Sequence, residues 1–274
     1  MLNWERVSNL LCNVNHYQRY ALIDEIIVFN NNRKYDLRKI GNNKLTLIES
    51  TKDLGLYSRF AAAGLARNSC IMHCDDDVFI YESTVNRLYT YWLKNPLICH
   101  GLQGRIVGDC YNPQDAFGNV HIVLTKCMLV SKSNCLSAFL FSLNFSDIPG
   151  EPVGNGEDII LSYVSMYNAR RYNMVYRLPY YSYPEHSSIS IHQRWKHHFE
   201  HRTKVLRRCQ KLLGMSNVPF RDSSRVLRRT CPFPPLFMQH DSIEQLDVPD
   251  RSVRTRRKVA ANHKSARLAE HKQG

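Results

Sequence analysis

Residues 70–78 read Cys70-Ile71-Met72-His73-Cys74-Asp75-Asp76-Asp77-Val78: five residues with the make-up of a short buried strand, then three aspartates with no spacer. Like charges at this spacing repel and raise one another's pKa, so the triplet is costly to hold together unless something relieves it. A divalent cation would do so. Carboxylate oxygens suit magnesium or manganese, commonly as one or two carboxylates completed by substrate phosphates. The bland alternative is a solvated loop in which Asp76 caps the next turn. The strand-end position and the basic, His-rich segment downstream favour a site.

Working outward towards the N-terminus, Asp53 is placed to cap a helix whose apolar positions Leu56, Phe60, Ala63 and Leu65 recur at helical spacing through Ala66. Leu45 to Ile48 is a short strand candidate. Glu25-Ile26-Ile27-Val28-Phe29-Asn30 is a β-branched run that ends in Asn30-Asn31-Asn32, so it too reads as a buried strand entering a polar loop. Glu5 to Tyr20 has helical spacing. This alternation predicts a mainly parallel sheet covered by helices on both faces, with ligands beyond the carboxyl ends of the strands. Such a sheet normally opens on a strand. Only Leu2-Asn3-Trp4 precede the first helix, so a truncated first strand is expected, the alternative being a fold that tolerates a very short one.

Towards the C-terminus, a helix is expected from Glu82 to Leu93, then a turn-rich region from Leu97 to Val130 that suggests antiparallel strands. Further helices are expected at Lys132 to Leu143, Glu157 to Arg170 and Gln193 to Leu213. Beyond about Phe237 the apolar periodicity fades. The expected division is a domain over residues 1–238 and a basic, disordered tail over 239–274.

The 274 residues are 43% apolar, enough for a full core; the formal charge of +13 would suit an anionic partner, but it gathers in the last third of the chain, where a charge run reads first as a solvated face or tail. Nine cysteines are scattered without a CxxC pair, which excludes a zinc ligand set by spacing, and several sit in apolar runs as small core residues. No apolar stretch approaches the roughly 20 residues of a membrane span, and Met1 is not followed by a signal peptide. The sequon Asn144-Phe145-Ser146 would matter only in a secretory lumen.

Against this background the chain resembles the exostosin-like glycosyltransferases of the GT-A type, which carry an Asp-Asp-Asp version of the DxD motif. The resemblance runs through Trp4-Glu5-Arg6, Asn9-Leu10, Glu25 to Asn31 and Tyr57-Ser58-Arg59-Phe60, and peaks at Asp75-Asp76-Asp77-Val78. It continues through Gly101-Leu102-Gln103-Gly104-Arg105, Gly156-Glu157-Asp158-Ile159 and His198-Phe199-Glu200-His201-Arg202, covering about Leu2 to Gly214. It implies an α/β fold with a Rossmann-like mixed sheet flanked by helices. It also implies metal-dependent transfer of a hexose or N-acetylhexosamine from a nucleotide sugar, expected to be a UDP-sugar, to a glycan acceptor with retention of configuration.

Carried over position by position, the resemblance implies that Asp77 binds Mn2+ or Mg2+ at the donor diphosphate. Asp75 then meets the ribose or uracil side and is a second metal candidate. Arg6, Asn30, Arg59, Asp75, Asp76 and His198 would line the donor pocket, Asp158 would face the acceptor hydroxyl and the sugar, and Arg202 with His198 would close on the diphosphate. Two departures bear on the identity of the sugar: a polar residue is usual near Leu54, and a Cys-Asp-Asp stands where this chain has Gly156-Glu157-Asp158. By resemblance the compartment is the Golgi or ER lumen if an N-terminal anchor has been lost, and otherwise the cytoplasm.

The residues agree chemically with that implication. Glycosyl transfer requires the negative charge growing on the departing nucleoside diphosphate to be met by a metal and by cationic donors. Arg202 and His198 could supply the second part, while Glu157 and Asp158 form an acidic first helical turn. His192, His197 and His201 read as surface residues of a basic helix, and His186 carries no signal. Two other readings are a basic nucleic-acid-binding α/β protein and an inactive glycosyltransferase-like chain. The absence of aromatics between Lys204 and Lys211 counts against the first, and no nucleic acid is expected.

Overall fold

Polar strand ends and apolar strand bodies divide this chain into strands that stop where the site begins. The computed structural model describes residues 1–3, 5–32, 34, 37, 43–148, 154–184, 195 and 197–215, all within a unit spanning Met1–Cys231. The expected tail and His186 and His192 lie outside the described residues.

Strand β1 (Leu2–Asn3) lies parallel to β2 (Ile26–Asn30), with Leu2 opposite Phe29, and β2 lies parallel to β3 (Leu45–Glu49). The first strand is thus two residues long and in place. Helix α1 (Val7–Tyr17) follows it and buries Leu10, Val14 and Tyr17, one stripe of a 3.6-residue period. Helix α2 (Ser58–Gly64) begins later than expected, because the Asp53 carboxylate accepts a hydrogen bond from the Gly55 amide at 2.7 Å. That is an Asx turn two residues on, not a helix cap.

The predicted aspartate-bearing strand is β4 (Cys70–Cys74), followed by β5 (Val78–Ile80) and helix α3 (Glu82–Lys94). The turn-rich segment supplies β6 (His100–Gly101), β7 (Gly104–Arg105), β8 (Gly118–Val120), β9 (Ile122–Val123) and β10 (Cys127–Ser131). Helix α4 (Lys132–Ser142) is capped by the Ser131 hydroxyl, and α5 (Glu157–Ala169), β11 (Asn173–Val175), β12 (Tyr180–Ser182) and α6 (His198–Leu212) complete the described chain.

The expectation of a mainly parallel sheet holds for β1, β2 and β3. It does not extend to the five-stranded sheet, ordered β4-β10-β6-β11-β8, which is mixed: β10 runs antiparallel to both β4 and β6, as the turns of residues 97–130 suggested, and among its paired strands only β6 and β11 are parallel. The reason is covalent: no crossover helix, which a parallel neighbour would need, lies between β6 and β10. Two-stranded ribbons, β12 with β5 and β7 with β9, flank it.

Strand β10 is buried at every residue, as a strand covered on both faces must be. Cys127 and Leu129 join a core with Leu10, Val14 and Leu88 on the α1 and α3 side. Met128 and Val130 join the other core with Phe60, Ile159 and Leu206 under α2, α5 and α6. The sheet thus carries helices on both faces. Helix α5 is buried from Glu157 through Met166, acidic first turn included.

Candidate active site

The cluster is assembled where strands end. Arg6 follows β1 and Asn30 closes the parallel strand β2, so these two end at one edge, and the ion pair of Arg6 with Asp76 brings the end of β4, with Asp75-Asp76-Asp77, to it. Arg6 Nη1 lies 2.9 Å from Asp76 Oδ1 and 3.9 Å from Asp77 Oδ2. Lys126 Nζ reaches Asp77 Oδ2 at 3.1 Å. The antiparallel ladder brings Lys126 there: Cys127 stands opposite Cys74, and the Asp75 amide donates to the Lys126 carbonyl at 3.2 Å.

Buried on α2, Arg59 donates to Asp75 Oδ1 at 3.0 Å and lies 3.8 Å from Glu157 Oε1, which also accepts from the Thr125 hydroxyl at 3.0 Å. One guanidinium therefore ties the strand-end aspartates to the first turn of α5. Its charge is disfavoured by burial, but Asp75 and Glu157 more than offset this and hold it protonated. Burial above all pushes Glu157 up to about 7, with Arg59 opposing and Asp158 adding to the rise. Burial likewise pushes Asp76 up to about 6 against the pull of Arg6, and Asp75 and Asp77 contribute.

The next residue along α5 opens the second half of the cluster. Arg202 on α6 donates through Nη2 to both Asp158 oxygens, at 2.8 and 2.6 Å, and its guanidinium lies 4.3 Å from the centre of the Tyr111 ring. Burial disfavours this cation, yet Asp158 outweighs the penalty and keeps it charged. Asn155 links the remaining parts: its side chain lies 3.0 Å from His198 Nδ1 and 3.4 Å from Arg202 Nη1, and its carbonyl accepts from His201 Nε2 at 2.8 Å. The preceding helix start requires glycine. Gly156 has φ 102°, a conformation that strains any side chain, and a β-carbon there would also meet Val205 of α6 tightly, at 3.1 Å.

A model of the glycosyl transferase family 64 domain matches residues 1–227. The chain belongs to glycosyltransferase family 64. Among solved structures this family 64 chain is similar to residues 1–349 of S. aureus TarS in complex with UDP-GlcNAc, at 14% identity and a TM-score of 0.50 over 78% of this chain and 64% of that one. A second crystal structure of S. aureus TarS 1-349 has a TM-score of 0.47 and 14% identity over 66% of this chain and 58% of that one. The family 64 chain thus spans less than two thirds of either. At that identity the first likeness speaks to the fold, which is the GT-A mixed sheet flanked by helices. No curated protein matches significantly.

Set against the sequence reading, the structure brings Arg6, Arg59, Asp75, Asp76 and Asp77 into one charged cluster, and Asp158, Arg202 and His198 into another joined to it through Glu157. Asn30 lies at the same strand edge, where its side chain approaches Glu49 Oε1 at 3.4 Å. Asp76 does not cap a turn; it is buried on Arg6. His197 is exposed as expected, whereas His201 is buried, because Asn155 and the Trp195 ring, 5.0 Å away, sit over it. Sequence reasoning missed Lys126, Thr125, Tyr111 and Asn155. Thr125 and Lys126 directly precede the apolar strand β10, a signal that becomes useful only once β10 is known to pair with β4.

Among the described residues no three His, Cys, Asp or Glu side chains form a cage that could hold a metal unaided. A cation here would need oxygens from a bound diphosphate and water. One atom fits that demand: Asp77 Oδ1 is buried and has no hydrogen-bond partner. A carboxylate oxygen left so is expensive unless a ligand completes it.

Proposed function

We propose that this family 64 chain is an exostosin-like transferase that moves a hexose or N-acetylhexosamine from a UDP-sugar to a glycan acceptor, with retention of configuration. On this reading Asp75-Asp76-Asp77 is a DxD-type motif, and Asp77 with Asp75 holds Mn2+ or Mg2+. The observation that carries it is the buried, unpartnered Asp77 Oδ1 at the end of β4, on a carboxylate whose other oxygen faces Lys126 and Arg6. The complex of TarS with UDP-GlcNAc supports the choice of donor class.

The metal, when bound, neutralises the diphosphate as it leaves. The protein's own residues do the rest. Arg6 and Lys126 hold the aspartates in place before the donor arrives, so little reorganisation accompanies binding. Arg59 fixes Asp75 relative to Glu157 and thus sets the distance between the nucleotide side and the sugar side. Arg202, locked by both oxygens of Asp158, presents a cation that cannot swing away, and His198 stands beside it through Asn155. Asp158, fixed in turn by Arg202, faces the sugar and acceptor.

Nucleic-acid binding is disfavoured by what the cations of α6 do. Arg202 is buried, Lys204 pairs with Glu200 at 2.9 Å, Arg207 donates to the Asp109 carbonyl and Arg208 pairs with Asp147. A panel of UDP-sugars tests the proposal. Release of UDP that requires manganese and acceptor is expected with at least one donor; metal-independent release with every active donor contradicts it.

A further inference from the structure

Cys74 and Cys127 stand directly opposite each other across the antiparallel β4–β10 ladder. Which kind of pair they form follows from the ladder's hydrogen bonds. The Asp75 amide donates to the Lys126 carbonyl at 3.2 Å, and the Lys132 amide donates to the Ser69 carbonyl at 2.8 Å. Residues 75 and 126, and 69 and 132, are therefore hydrogen-bonded positions. Because such positions alternate along an antiparallel ladder, 74 and 127 form a non-hydrogen-bonded pair. In pairs of this kind the α-carbons are about 4.5 Å apart and the side chains lean together, a spacing within the range that a disulfide accepts. Both side chains belong to the same core, with Leu129, on the α1 and α3 side of the sheet, and both residues are 2% exposed. In the structure both are free thiols, and Cys74 Sγ lies 3.4 Å from the Tyr17 hydroxyl.

We propose that Cys74 and Cys127 are a disulfide site, closed during folding under oxidising conditions, that staples the two strand ends beneath the aspartate cluster. Cys74 directly precedes Asp75, and Cys127 directly follows Lys126, whose ammonium holds Asp77. A bond between them fixes the carbonyl–amide register that sets Lys126 against Asp77. The inference stands on strand register alone and does not depend on the donor assigned above.

The chemistry balances with a small-molecule disulfide as oxidant. One cysteine thiolate attacks it, forming a mixed disulfide and releasing one thiolate. The second cysteine then attacks the protein sulfur of that mixed disulfide, forming the Cys74–Cys127 bond and releasing the second thiolate. Two protein thiols are oxidised, and one small disulfide is reduced to two thiols, which carry away the two protons. Once the sheet has closed, both sulfurs are shielded from reagents, so the exchange belongs to the folding chain and the bond, once made, resists reduction.

The test refolds the full chain from denaturant in reduced plus oxidised glutathione, or in reduced glutathione alone. Remaining thiols are blocked with N-ethylmaleimide under denaturing conditions and the peptides mapped by mass spectrometry. A Cys74–Cys127 linked peptide is expected from the oxidising buffer only, with a melting temperature about 5–10 °C above the reduced chain. That difference should vanish in both Cys127→Ala and Cys74→Ala, each compared with its own reduced form. Folded wild-type chain from the oxidising buffer that carries N-ethylmaleimide on both cysteines, or joins either to a different cysteine, overturns the proposal, and this readout stands even if the variants fold poorly.

Discussion

Replacing Arg202 by alanine strips Asp158 of the cation that binds both of its oxygens at 2.8 and 2.6 Å, in a place where the two side chains are 7% and 6% exposed. The Asp158 charge would then be buried with only the Ile159 amide, at 2.8 Å, to meet it. Breaking a buried pair from one side costs about 3–5 kcal/mol. The contact with Tyr111 at 4.3 Å adds about 1 kcal/mol. For a folded region of this size the sum corresponds to a fall in melting temperature of roughly 10 °C or more. Lysine should recover only part of it, because an ammonium lacks the second nitrogen that reaches Asn155 and the planar face that lies over Tyr111. The decisive comparison is a thermal-melt cycle of Arg202→Ala, Asp158→Ala and the double variant. Much of each single loss comes from the charge left behind, so the double variant should lose clearly less than the sum of the two singles. Additive losses, or an Arg202→Ala change of under about 1 kcal/mol, would refute the reasoning that the pair is a closed buried unit.

Glu157, pushed up to about 7 mainly by burial, binds a proton in the folded state that the unfolded chain gives up near its ordinary value of 4.5, so its contribution is full at low pH and is lost as pH rises towards 7. Glu157→Gln mimics the protonated form and should gain on wild type by roughly 1–3 kcal/mol between pH 5 and pH 8 in denaturant melts, whereas a pH-independent difference would contradict the assignment. Gly101→Ala would place a β-carbon 2.3 Å from Val123 Cγ1 and 2.7 Å from the Cys127 carbonyl, between two paired strands, and should cost about 3 kcal/mol or more. Gly108→Ala, where nothing lies within 4 Å, is the control and should stay within about 0.5 kcal/mol in the same chemical-denaturation series.

Local pattern was enough for the elements but not for their pairing. The β-branched run before Asn30 and the apolar run before Asp75 announce strands because each is short, apolar and ended by charge or amide, and both form where expected. The GT-A fold implied by resemblance is the observed one. The antiparallel character of residues 97–130 was legible in their turns, but the mainly parallel pattern of the first strands did not extend to the whole sheet, and turns do not say which strands meet. Lys126 was missed for the same reason: its approach to Asp77 exists only through the β4–β10 register. His201 was misassigned because it was grouped with the basic residues around it, although it lies one turn before Val205 on the stripe that continues through Leu206 and Cys209 and is buried. Asp53 was read as a cap because an aspartate serves an Asx turn as readily as a helix start.

The central claim is that the strand-end aspartates bind a divalent cation and a nucleoside diphosphate together, since Asp77 offers a single open oxygen and the remaining ligands must come from phosphate and water. Melting curves with UDP alone, manganese alone and both together test this most directly. The account predicts that UDP with manganese raises the melting temperature well beyond the sum of the separate shifts, and that Asp77→Asn abolishes the excess. Equal UDP shifts with and without manganese, or an excess that survives Asp77→Asn, would contradict it.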